Sequence, residues 1–190
     1  MTSIKRAALA VVLAACCHME AGLGQDIAAP VMPNVDLETV RGRELLEARK
    51  AICRFFVLVF LEQTIQSSDE QGEHVKEQAF ISGEALAACP EDFRNAILKW
   101  KNVFTDEGRN ADAVSDDVKE HMAEEMRQLH EKYMIDQSVT ISVEWAMREM
   151  GMLMDEGGIM SDRQELSRRA EALKKKIESG KAIVPVLREE

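Results

Sequence analysis

Phe55-Phe56-Val57-Leu58-Val59-Phe60-Leu61 is the stretch on which the fold turns. A short apolar run with β-branched valines fits a buried strand as well as the middle of a buried helix, and its own periodicity does not separate the two. The flanks decide. Leu37, Val40, Leu45, Ala48 and Ile52 precede the run at helical spacing, and the spacing continues beyond it. The sequence therefore predicts one helix from Asp36, an N-cap candidate, to about Gln66, apolar all round at its centre and surrounded by its neighbours.

Working outward, the same period recurs five more times. A helix is expected over about 73–88, after a polar turn at Ser67 to Gly72. Pro90 opens the next, with Glu91 and Asp92 complementing the dipole and Phe93, Ile97, Trp100 and Phe104 as its core stripe. A fourth spans about Asp112 to Ile135, with Val118, Met122, Met126, Leu129 and Tyr133 inward. A fifth runs from about Ser138 to Glu156 and stops at Gly157-Gly158, although Val139 to Val143 alternates like a strand. The sixth opens on a capping box, Ser161 to Gln164, buries Leu166, Ala170, Leu173 and Ile177, and ends at Gly180. The tail Ala182 to Leu187 is apolar enough to dock. Strand–helix alternation is absent, so the expected class is all-α, a single helical bundle of about six helices over residues 36–190.

Ahead of the bundle, Lys5 and Arg6 are followed by the apolar Ala7 to Ala15, the pattern of an export signal over residues 1–24. Nine helical residues span about 14 Å, half a bilayer's hydrocarbon thickness, so a permanent membrane helix is not expected there. Two cleavage sites compete. Leu13-Ala14-Ala15-Cys16 resembles the bacterial lipobox, with a lipoprotein signal over 1–15, cleavage before Cys16 and a lipid on its thiol. Gly22-Leu23-Gly24 offers small residues for a general signal peptidase cutting after Gly24. The segment His18 to Asn34 has Gly22, Gly24, Pro30 and Pro33 and no apolar period. It reads as a flexible tether, placed over 25–35 if cleavage follows Gly24.

Outside the signal only Cys53 and Cys89 remain, a disulfide candidate in an oxidising compartment. The bond would close a loop of about 35 residues and contribute about 3–4 kcal/mol on the chain-entropy model. Two buried free thiols are the alternative. Lipidation at Cys16 leaves Cys17 as an odd thiol, whereas cleavage after Gly24 does not.

The whole chain carries 24 Lys and Arg against 34 Asp and Glu; without residues 1–24 the count is 22 against 33, a net −11. Such acidity disfavours nucleic acid and anionic lipid surfaces. Catalytic signatures are missing from the sequence: it has no GxSxG, phosphate loop, HExxH, Glu-x-x-His or CxxC. Asp116, Asp117, Glu120, Glu124 and Glu125 crowd one helix beside Lys119 and Arg127, the pattern of a solvated face. Eight of the eleven methionines fall between 122 and 160. Met122, Met126, His130 and Met134 form one helical stripe, and Met147, Met150 and Met154 another. Thioether and imidazole together suit Cu(I), while methionine also simply fills cores. The sequence thus implies no cofactor, with copper as the alternative. It implies an exported envelope protein that acts as a non-catalytic binding or structural module for a protein partner, in the bacterial periplasm or, if Cys16 is modified, on a membrane through its lipid.

Overall fold

The computed structural model describes residues 39–67, 83–106, 115–152 and 163–187. The chain is all-α. The described residues form six helices: α1 (Val40–Ser67), α2 (Gly83–Ala87), α3 (Glu91–Asp106), α4 (Asp116–Tyr133), α5 (Asp136–Glu149) and α6 (Arg163–Glu178). No strand occurs among them. The Val139–Val143 alternation lies inside α5, where burial of Val139 and Ser142 but not of every second residue follows the helical period.

The helices gather into two compact units, residues 1–44 with 91–132 and residues 45–90 with 133–190. The expected Asp36 cap lies outside the described residues; in the described part of the first unit, Thr39 Oγ1 accepts from Gly42 N at 3.0 Å and caps α1. With α1 beginning one residue further on, Val40 sits in its first turn and is 63% exposed rather than inward. The α3 stripe holds, with Phe93, Ile97 and Trp100 buried together with Ala96. In α4, Met122, Met126, Leu129 and His130 are buried, while Val118, near the helix start, is exposed. Phe104 and the Ser161 capping box lie outside the residues whose side chains are described.

The second unit is built on the run that opened the sequence reading. Phe55, Phe56, Val57, Leu58 and Leu61 are buried and Val59 and Phe60 half-buried, so the predicted central helix is observed. The Phe55 and Phe56 rings meet edge to face, centroids 5.6 Å apart. Around α1 are Leu86 of α2, Ile135, Val139, Ala146 and Met150 at α5, and the α6 stripe Leu166, Ala170, Leu173 and Ile177, all buried. Lys174 Nζ reaches from α6 to Glu62 at 2.5 Å.

Two helices end in the same way. After α5, Met152 N donates to Met147 O and Gly151 N to Arg148 O, with Gly151 at φ 69°. After α6, Lys181 N donates to Lys176 O and Gly180 N to Ile177 O, with Gly180 at φ 71°. Both are Schellman caps, in which glycine takes the left-handed position without a Cβ clash. Gly180 was expected to end its helix. Gly151 was not: α5 stops seven residues before Glu156, because one well-placed glycine satisfies the last carbonyls. Between α4 and α5, Met134 itself takes the left-handed conformation, φ 52°, at a cost of about 1–2 kcal/mol for a non-glycine.

Candidate functional site

The sequence-predicted sites divide between the units. Cys53 and Cys89 belong to the second unit, where both are buried and carry free thiols. Cys89 Sγ lies 3.5 Å from Ala85 O, one turn back. Cys16 lies outside the described residues. Of the copper set, Met122, Met126 and His130 are buried in the first unit, Met150 is buried and Met147 half-buried in the second, and Met154 falls outside the described residues. Among the described residues no three His, Cys, Asp or Glu side chains converge as a metal would need.

The carboxylates of α4 are engaged with one another's neighbours. Lys119 pairs with Asp116 at 3.1 Å, Lys99 with Glu125 at 3.0 Å, and Arg127 with Glu124 at 2.6 Å and with Glu131. Hydrogen bonds from Arg127 and Gln128 hold the Glu124 carboxyl down to about 2. Arg168 and Arg169 do the same to Glu165 on α6, also to about 2. These are ionised, solvated surface groups, and neither has the raised pKa of a general acid.

The chemically distinctive place is one that the sequence reading did not find, a buried polar cluster in the second unit. On α1, Arg49 and Cys53 lie one turn apart, 2% and 0% exposed. On α5, Ser138 and Ser142 are likewise one turn apart and fully buried. Arg49 Nε donates to the carbonyl of Tyr133, the last residue of α4, at 3.2 Å. It thereby satisfies a helix-end acceptor with a cation, where the dipole favours one. No carboxylate pairs with Arg49 among the described residues. Burial depresses its basicity, partly offset by the Cys53 sulfur nearby. Burial pushes the Cys53 thiol up to about 11, against the opposing effects of a hydrogen bond with Ser142 and the Arg49 charge. Ser142 Oγ lies 2.7 Å from Ser138 O and 2.5 Å from Pro185 O. Ser138 Oγ has no hydrogen-bond partner. The sequence signal for this cluster was polar residues at i and i+4 on otherwise apolar helix faces.

A second cation cap stands nearby: Arg169 Nη1 donates to Met150 O, the C-cap of α5, at 3.2 Å. An open depression of about 500 Å³ lies where Lys50 and Arg54 of α1 face Cys89 and Pro90. No helix among the described residues is long and apolar enough to cross a membrane. No family model matches this sequence, and neither a curated protein nor a solved structure matches it.

Proposed function

We propose that this chain is an exported cell-envelope lipoprotein whose helical domain serves as a non-catalytic binding or structural module for a protein partner. The observation that carries the reading is the Leu13-Ala14-Ala15-Cys16 tetrad closing an apolar run behind Lys5 and Arg6. The glycine- and proline-bearing segment that follows suits a tether between a lipid and the folded helices. The acidic surface keeps the domain off anionic lipid and nucleic acid, leaving proteins as its partners. The two strongly depressed carboxyls, Glu124 and Glu165, sit in local ion pairs, which supports a structural reading of these groups.

The test is the mass of the mature N-terminus after expression in a bacterial host. A chain beginning at Cys16 and carrying acyl chains, found with the membranes and released to the soluble fraction by Cys16→Ser, is the expected result. An unmodified chain beginning at Gln25 in the soluble fraction overturns the anchor. Cross-linking of the intact lipoprotein in envelopes is expected to yield one recurrent protein adduct, and only monomer would overturn the partner.

A further inference from the structure

In this acidic chain, free cations gather at one end of α6. Lys175 and Lys176 in its last turn and Lys181 just beyond it are exposed. None of the three side chains has a hydrogen bond or ion pair among the described residues. Lys174 differs, being taken up by Glu62 at 2.5 Å and Glu178 at 4.0 Å. Residues 174–181 carry four lysines against one glutamate, in a chain whose net charge is −10. The backbone folds these lysines together, for the N–H groups of Lys181 and Ala182 both donate to Lys176 O, at 2.8 and 3.1 Å. The next residue, Ile183, is 84% exposed, the most exposed large apolar side chain among the described residues, while Val184 behind it is buried. The helix dipole accounts for Lys175 and Lys176. It accounts neither for a third lysine past the helix end nor for an isoleucine in water.

We propose that Lys175, Lys176, Lys181 and Ile183 form the face that the second unit turns toward an anionic lipid bilayer, with the lysines on the headgroups and Ile183 dipping between them. This rests on the lipid anchor proposed for Cys16, which holds the chain at the bilayer and leaves its orientation to be set. Screening sets it. At physiological salt a charge is felt over about 8 Å, so a bilayer senses the face nearest to it and not the whole chain. Each lysine at an anionic surface favours contact about fivefold. The surplus of carboxylates elsewhere is repelled, so the same net charge that keeps the rest of the chain off the lipid orients it with this end down.

The test is tryptophan fluorescence of the full chain carrying Ile183→Trp, produced in a bacterial host and placed in vesicles of equal parts phosphatidylglycerol and phosphatidylcholine with brominated acyl chains. The parent chain is the blank for Trp100 and Trp145. The added tryptophan is expected to be quenched by bromine in these vesicles and not in vesicles of phosphatidylcholine alone. Lys175→Gln, Lys176→Gln and Lys181→Gln together weaken the contact about 100-fold and abolish the quenching, whereas Arg148→Gln, at another exposed cation of the same unit, leaves it unchanged. A tryptophan that stays unquenched in the anionic vesicles overturns the proposal, as does quenching that survives the triple variant. If the unquenched chain still forms an envelope cross-link that the triple variant loses, the lysines serve an acidic protein and not a bilayer. The anchor is judged separately by the N-terminal mass. A lipidated chain without quenching leaves the anchor standing and overturns the orientation. A soluble chain beginning at Gln25 overturns the anchor, and its quenching on mixing with the same vesicles then decides for or against the lysine face.

Discussion

Replacing Ser138 by alanine should stabilise the protein, and the same substitution four residues later should do the opposite. Ser138 Oγ is buried without a partner, and mutational data set the burden of such a hydroxyl at about 1–3 kcal/mol. Alanine adds up to about 0.5 kcal/mol of helix propensity inside α5. Against these stands the vacated space of one oxygen: about 15 Å³ at 24 cal/mol per Å³ costs about 0.4 kcal/mol. The net is a gain of about 1–3 kcal/mol. Ser142→Ala removes a hydroxyl of equal burial that serves Ser138 O and Pro185 O, and leaves a buried carbonyl wanting. It should lose about 1–2 kcal/mol. Urea unfolding followed by tryptophan fluorescence measures both. At a slope of about 2 kcal/mol per M the midpoint rises by about 0.5–1.5 M for Ser138→Ala and falls by about 0.5–1 M for Ser142→Ala. Two midpoints that both fall would show that Ser138 Oγ is hydrogen-bonded in solution, and the reasoning about its orphaned state would be wrong.

Arg49→Met should destabilise by about 1–3 kcal/mol, because a charge-assisted bond to a helix-end carbonyl outweighs relief from burying the guanidinium. A methionine variant at least as stable as the parent by urea midpoint would mean that the burial cost dominates. Cys53 carries a pH signature. Its thiol is raised from 9.0 to about 11 in the fold, so the stabilisation is fully present below 9 and is lost as pH rises through about 11. At about 1.4 kcal/mol per unit, at most about 3 kcal/mol disappears over that window. Cys53→Ala should flatten the alkaline limb of the stability curve, and parallel curves for parent and variant would rule this out.

The helices were legible because the apolar residues on each repeat with the period of their own element. Leu166, Ala170, Leu173 and Ile177 were read from the sequence and all four are buried. Phe55 to Leu61 was ambiguous by itself and became a helix through its flanks. The errors sit at ends. Thr39, with its oxygen on Gly42 N, is as good a cap by type as Asp36, which lies outside the described residues. Gly157-Gly158 is a louder breaker than Gly151, yet a Schellman cap needs a single glycine at one position. The polar cluster escaped for a different reason. Arg49, Ser138 and Ser142 are residue types whose usual place is the surface, and burial of such groups depends on partners brought from distant parts of the chain. Arg49 finds a carbonyl 84 residues away and Ser142 one 43 residues away.

The two arginine caps, set side by side, amount to a ruler. Arg49 on α1 holds the carbonyl of Tyr133, two residues short of α5, and Arg169 on α6 holds that of Met150 immediately after it. The 14 residues of α5 itself rise about 21 Å. Adding one residue within them advances the far end by about 1.5 Å and turns it by about 100°, so one arginine loses its carbonyl whichever way the rest adjusts. Side chains along α5 are therefore free to drift under selection in a way that its length is not. An insertion tolerated in the segments outside the helices should be rejected here.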